Sequence, residues 1–103
     1  MISPSIQQEI IKRICLVSTP EKIYIFGSFA YGLPDKKSDL DIAVICKNVF
    51  AKSRESVIIR KALKGIFGSI DVVVTTPQEF EYYSHEPGSI YKTIAEKGIV
   101  IYA

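Results

Sequence analysis

The chain has 103 residues, of which 48% are hydrophobic and 23% are charged, and its formal net charge is +2. We expect one domain over residues 1–103, because two domains would each be too small to bury a core. The small net charge excludes a strongly basic nucleic-acid-binding protein, and no apolar run is long enough for a membrane span. No signal-peptide pattern opens the chain, so we predict a cytoplasmic protein in which Cys15 and Cys46 are buried, reduced thiols.

Apolar periodicity and turn residues predict helices and strands in alternation. In chain order these are a helix at 4–17, a strand at 22–26, a short helical turn at 27–32, a strand at 40–46, a helix at 52–67 ended by Gly68, a strand at 70–75, helices at 77–84 and 89–97, and a strand at 99–102. This order predicts an α/β fold with a small mixed sheet of about four strands, the last one at an edge. The connection over 27–39 is either a compact crossover or a hairpin-like return, and the sequence leaves both open.

Two of the helix starts carry specific capping signals. Ser3 followed by Pro4 is typical of an N-cap with proline in the first helical position. The sequence TPQE at 76–79 has the same proline and the spacing of a capping box, in which Thr76 and Glu79 satisfy each other's backbone N–H groups. These signals predict helix starts at residues 4 and 77.

Two aspartates precede and open the predicted strand at 40–46. Side chains alternate between the faces of a strand, so Asp39 and Asp41 project from the same face, roughly 7 Å apart at a rise of ~3.3 Å per residue. Asp71 is the second residue of the predicted strand at 70–75. If the two strands are neighbours, all three carboxylates join one cluster.

Three carboxylates at the end of a hydrophobic sheet repel one another and lose solvation, so a cation is needed nearby. Oxygen ligands suit Mg²⁺ or Mn²⁺, and Mg²⁺ usually shares its coordination with water and phosphate. Gly27 permits close approach of the backbone, and Ser28 offers a hydroxyl and exposed N–H groups to a phosphate. Each of these motifs alone is equally typical of a turn or a cap, and only their combination indicates a nucleotide site.

The stretch GSFAYGLPDKKSDLDIAV resembles the signature of the nucleotidyltransferase superfamily that includes DNA polymerase beta, in its minimal form. The resemblance implies the polymerase-beta-like fold and attack by an acceptor hydroxyl on the α-phosphate of a nucleoside triphosphate. It also implies that Gly27 and Ser28 hold the triphosphate. Asp39 and Asp41 would bind two Mg²⁺ ions, with Mn²⁺ as the alternative, and Asp71 would complete the acceptor side of the metal site.

One position departs from the family pattern. Many members have arginine where this chain has Tyr31, which puts part of the triphosphate affinity in question. Lys36 or Lys37 could compensate, or both could be solvated loop lysines.

Minimal members resemble the antitoxin of gene pairs whose partner is a small helical HEPN toxin. The resemblance therefore implies ATP as the donor and a toxin tyrosine as the acceptor, with no need for nucleic acid or membrane. Two alternatives stay open: a catalytically weak antitoxin that neutralises its partner by occlusion, and a small-molecule nucleotidyltransferase. Association with itself or with a helical partner is expected for so small a domain. The basic residues on the helix at 52–67 could bind an acidic partner or RNA, or form a solvated face.

Overall fold

A computed structural model describes residues 2–32 and 38–103 of the chain. Its elements are α1 (Pro4–Val17), β1 (Pro20–Phe26), α2 (Ser28–Tyr31), β2 (Leu40–Cys46), α3 (Lys52–Ala62), β3 (Ile70–Thr75), α4 (Pro77–Tyr83), α5 (Ile90–Lys97) and β4 (Ile99–Tyr102). Their order confirms the alternation that the sequence predicts. None of the helices in the described ranges combines the length and the apolar character that a membrane crossing requires.

The strands form one mixed sheet in the order β3-β2-β1-β4. β1 runs antiparallel to both β2 and β4, whereas β2 and β3 are parallel. The connection between β1 and β2 is therefore the hairpin-like return, one of the two alternatives that the sequence leaves open. The parallel pair needs a crossover, which α3 supplies, and β4 lies at the sheet edge as predicted.

Helices cover both faces of the sheet. On one face Leu40, Ile42 and Val44 pack with buried residues of α1 and α3, among them Ile10 and Ile59. On the other face the buried cluster comprises Tyr24, Phe26, Ala43, Ile45 and Ile94, with Phe80 of α4 packed against it. Burial on both sides explains why β2 is apolar almost throughout. Each fully buried side chain of this kind contributes about 1.5–3 kcal/mol to folding.

The predicted caps are present at both helix starts. The Ser3 hydroxyl accepts a hydrogen bond from the Ile6 N–H at 3.3 Å, and the Thr76 hydroxyl accepts one from the Glu79 N–H at 3.2 Å. In addition, the Ser89 hydroxyl accepts from the N–H groups of Tyr91 and Lys92, so α5 is capped in the same way. These side chains satisfy backbone donors that the first turn of a helix leaves unpaired.

The predicted end of α3 is wrong. The helix ends at Ala62 rather than at residue 67, and Gly68 does not cap it. The Arg13 guanidinium donates to the carbonyls of Ala62 and Lys64, at 3.3 and 3.0 Å, and Gly65 turns the chain with a φ of 89°. Apolar residues after this point pack against the core from an irregular segment, which is why the sequence pattern continues past the helix.

Smaller corrections concern one thiol and two boundaries. Cys46 is buried as predicted, but Cys15 is exposed. Cys15 follows the fully buried Ile14 on α1, and a helix turns about 100° per residue, which carries the thiol away from the core. β1 begins at Pro20, two residues before the predicted start, and α4 ends at Tyr83 rather than at residue 84.

Candidate active site

The candidate site lies at one end of the sheet, where β1 ends and β2, β3 and β4 begin. The strand directions place these four termini together, and we call this region the site end. The register defines it: Phe26 is opposite Asp41, Asp41 is beside Asp71, and Ile25 is opposite Ile99. The residues of the Gly27–Ser28 turn follow Phe26 directly. The site end therefore brings together chain segments that are up to about 70 residues apart in the sequence.

The three aspartates occupy adjacent positions on two neighbouring strands. Asp41 of β2 and Asp71 of β3 are direct partners in the parallel register, which confirms that the two strands are neighbours. Asp39 lies immediately before β2, two residues from Asp41. Asp41 is half-buried, whereas Asp39 and Asp71 are exposed. The partly buried carboxylate thus lies in the middle of the group and the two solvated ones lie around it.

The surroundings of Asp41 disfavour its charged form. Its pKa is raised above the ordinary value of 3.8, first by burial and then by the negative charges of Asp71 and Asp39. In the part of the chain that the structure describes, no basic side chain forms an ion pair with any of the three. The protein therefore holds a concentration of negative charge that a bound cation would relieve.

Gly27 lies against the Asp41 carboxylate. Its backbone has a φ of 75°, a conformation that side-chain-bearing residues rarely adopt. A Cβ atom at position 27 would collide with Oδ2 of Asp41 and lie 3.1 Å from its Cγ. The glycine is therefore required twice, by its backbone conformation and by the space that it leaves beside Asp41.

The turn after Gly27 is the single helical turn that the sequence predicts. The Gly27 carbonyl accepts from the N–H groups of Ala30 and Tyr31, at 3.0 Å each. Phe29 anchors the turn by an edge-to-face contact with Phe67, with the ring centroids 5.1 Å apart. Ser28 is the first residue of α2, where helical N–H groups have no partner within the helix. α2 is one turn long, so these donors matter more to an anion than the helix dipole does.

The three aspartates offer ligands of a chemical type that suits a hard divalent cation. Carboxylate oxygens are the ligands that Mg²⁺ and Mn²⁺ prefer. Within residues 2–32 and 38–103, however, no three His, Cys, Asp or Glu side chains are gathered closely enough to hold a metal ion as they stand. The aspartates form an open set rather than a closed cage. Such a set fits an ion that takes its remaining ligands from water and from substrate phosphate.

One basic residue at the site end, Lys97, belongs to no motif that the sequence displays. The Lys97 ammonium lies 5.8 Å from the centroid of the Tyr31 ring, and Tyr31 is 39% exposed. The only sequence signal was its place at the end of a predicted helix, directly before Gly98 and the last strand. Lys36 and Lys37, the lysines considered as substitutes for a missing arginine, lie outside the described residues.

A mixed sheet flanked by helices, with a Gly-Ser turn and carboxylates on adjacent strands, defines a nucleotidyltransferase-type fold. The family model "Polymerase beta, Nucleotidyltransferase" matches residues 8–103. The chain therefore belongs to the polymerase beta nucleotidyltransferase family. No curated protein matches the chain at a significant level.

Two solved structures share the fold. A candidate nucleotidyltransferase from Sulfolobus solfataricus superposes with a TM-score of 0.64 at 20% identity, over 93% of this chain and 76% of its own. A toxin–antitoxin structure with AMP-PNP superposes with a TM-score of 0.62 at 19% identity, over 94% of this chain and 73% of its own. At these identities the likeness establishes the polymerase-beta-like fold, as the sequence motif implied.

Proposed function

We propose that the protein is a Mg²⁺-dependent nucleotidyltransferase that moves AMP from ATP to an acceptor hydroxyl. One observation carries the proposal: Asp41 and Asp71 are register partners on parallel strands, and Gly27 leaves room beside Asp41. Carboxylates on one side and a glycine turn on the other are what a metal-bound triphosphate needs. Membership of the nucleotidyltransferase family supports the reaction class.

Each residue has a distinct role in this proposal. Gly27 and Ser28 would hold the triphosphate, Asp39 and Asp41 would hold both Mg²⁺ ions, and Asp71 would complete the acceptor-side metal site and accept the acceptor's proton. A bond forms between the acceptor oxygen and the α-phosphorus, the bond from that phosphorus to the β-phosphate oxygen breaks, and pyrophosphate leaves. The bound ions would supply charge neutralisation at both oxygens, with Mn²⁺ as an alternative.

We further propose that the acceptor is a tyrosine of a small helical HEPN-type toxin, so that the protein acts as an antitoxin. The neighbouring toxin–antitoxin structure with AMP-PNP supports a nucleotide and a toxin as partners. Nucleic acid is not required by this reaction. ATP and an intracellular toxin also favour a cytoplasmic location, and a minimal domain favours assembly with its partner or with itself.

A second candidate function is that of a binding module that neutralises its partner by covering it. The surface around α3 favours it, because Phe50 is fully exposed and Val57 and Ile58 are exposed by 43% and 39%. A cavity of about 400 Å³ opens beside this surface and is lined by apolar and cationic side chains, including Arg60 and Lys61. Such a surface fits an acidic, partly apolar protein partner. A small-molecule acceptor is the remaining alternative.

An assay of partner neutralisation in cells distinguishes nucleotidyl transfer from neutralisation by occlusion. The product of the adjacent gene would be expressed as the candidate growth-arresting partner, together with the unaltered protein, the Asp39→Asn/Asp41→Asn double variant, or Glu86→Gln. Glu86 is an exposed glutamate and serves as the matched control. Catalysis predicts that the double variant still binds the partner but does not relieve growth arrest, whereas Glu86→Gln does. If the double variant relieves growth arrest as well as the unaltered protein does, occlusion is supported. If the product of the adjacent gene does not arrest growth, a small-molecule acceptor is favoured.

A further inference from the structure

Lys97 lies at the site end on the far side from the aspartates. β4 begins at Ile99, which is paired with Ile25 of β1, two residues before Gly27. With the strand order β3-β2-β1-β4, the site end presents Asp71, then Asp39 and Asp41, then the Gly27–Ser28 turn, and finally the segment that carries Lys97. The described part of the site is therefore polarised, with negative charge on one side of the turn and positive charge on the other.

The backbone beneath Lys97 is held firmly. Ile94, one turn earlier in α5, is fully buried in the cluster with Tyr24. The Gly98 N–H donates to the Ile94 carbonyl at 2.8 Å, and a Cβ at Gly98 would lie 2.5 Å from that carbonyl oxygen and 3.1 Å from the Tyr24 ring. The end of α5 is thus packed directly against β1. The Lys97 side chain extends from a rigid base toward the turn that follows β1.

The Tyr31 ring gives the Lys97 ammonium a resting position. At 5.8 Å from the ring centroid, the ammonium lies within the range of cation–π attraction. Lys97 forms no ion pair within residues 2–32 and 38–103, whereas Lys92 of the same helix pairs with Glu96 at 3.2 Å. Tyr31 therefore orients the positive charge of Lys97 without neutralising it, and the charge stays available to an anion.

We propose that Lys97 binds the β- and γ-phosphates of the nucleoside triphosphate and that Tyr31 positions it. The inference rests on the proposed function and adds an orientation to it: the α-phosphate lies toward Asp41 and Asp71, and the rest of the triphosphate crosses the turn toward Lys97. When the bond to the α-phosphorus breaks, negative charge develops on the departing pyrophosphate. A fixed ammonium at that side stabilises this charge, because it is already oriented when the bond breaks.

Calorimetric titration with ATP, ADP and AMP in the presence of Mg²⁺ tests the proposal. Lys97→Met keeps an unbranched side chain of nearly the same length without its charge, and Lys92→Met is the matched control from the same helix. We expect Lys97→Met to weaken ATP binding about tenfold, as expected for loss of one charge-assisted contact, and to leave AMP binding unchanged. Lys97→Arg should restore ATP binding, and Lys92→Met should bind like the unaltered protein.

The positioning role of Tyr31 has its own readout. Tyr31→Phe keeps the ring and should bind ATP normally, whereas Tyr31→Leu should weaken ATP binding a few-fold. In the Lys97→Met background the Tyr31→Leu change should have no further effect, because the group that the ring orients is gone. Thermal unfolding of every variant checks that the fold is retained.

Three results would overturn the inference, and they are distinguishable. If Lys97→Met binds ATP as tightly as the unaltered protein, Lys97 does not contact the triphosphate. If it weakens ATP, ADP and AMP equally, its effect is on the fold or on the nucleoside. If the unaltered protein binds no nucleotide with Mg²⁺, the proposed function fails and the phosphate subsite fails with it.

Discussion

Asp41 is unfavourable for folding at neutral pH, but the proposed chemistry requires it. It is half-buried, it lies against Gly27, and two further carboxylates raise its pKa beyond the effect of burial. Because its pKa is higher in the folded than in the unfolded chain, the folded state binds the proton more tightly. Asp41 therefore lowers the free energy of unfolding at neutral pH, and this penalty disappears below the ordinary pKa of 3.8.

Asp41→Asn should accordingly separate stability from activity. We expect a higher melting temperature than that of the unaltered protein at pH 7, with the difference lost near pH 3, where Asp41 is protonated in both states. We expect nucleotidyl transfer to fall by at least about a hundredfold, because a carboxylate that we propose as a metal ligand is removed. Melting curves across pH and a transfer assay measure both effects. A variant that melts lower than the unaltered protein at pH 7 would contradict the account of the carboxylate cluster.

The aspartates and the glycine turn could be predicted because their signals are local. The alternation of side chains along a strand predicts that Asp39 and Asp41 share a face, and the short apolar run before Gly27–Ser28 predicts a turn there. The contact between Gly27 and the Asp41 carboxylate could not be predicted in this way. It depends on the register of two antiparallel strands, which brings Phe26 opposite Asp41.

At the scale of elements, α4 shows how one cap supports a longer network. Thr76 caps the helix at the Glu79 N–H, and the Glu79 carboxylate in turn accepts from the Thr75 hydroxyl at 3.1 Å and from the Lys52 ammonium at 2.7 Å. Hydrogen bonding by Lys52 is the main reason why the pKa of Glu79 is lowered. The cap therefore helps to join the starts of α4 and α3.

Thr76→Ala should reduce the free energy of unfolding by about 1 kcal/mol, the usual effect of losing an N-cap side chain. Thr76→Ser retains the hydroxyl and is the matched control, with a stability close to that of the unaltered protein. Urea denaturation monitored by circular dichroism measures the difference, and the denaturant dependence of the unfolding free energy should stay the same. Equal stability of the alanine and serine variants would show that the cap contributes nothing.

Helix starts could be predicted and one helix end could not, for a physical reason. Ser3 and Thr76 act on N–H groups three residues away, so the signal and its effect are in the same short stretch. The end of α3 depends instead on Arg13, which donates to carbonyls 49 and 51 residues later in the chain. Apolar periodicity contains no information about such a contact.

At the scale of the whole molecule, topology assembles the candidate site. The antiparallel return from β1 to β2 and the parallel crossover to β3 bring the turn and the aspartates to the same end of the sheet. The pairing of β4 with β1 adds Lys97 from the last helix. The sequence motif identifies the turn and the aspartates because these residues are spaced as in other proteins of the family. Lys97 belongs to no such motif, and only the strand order places it.

The most direct test of nucleotidyl transfer follows the two ends of ATP separately. The protein would be incubated with Mg²⁺ and the product of the adjacent gene as the candidate partner, with ATP labelled at the α-phosphate in one reaction and at the γ-phosphate in another. We predict that α-label appears on the partner, that γ-label leaves as pyrophosphate, and that neither occurs with the Asp39→Asn/Asp41→Asn variant. Covalent γ-label on the partner, or no α-label on a partner that still binds, would contradict the account.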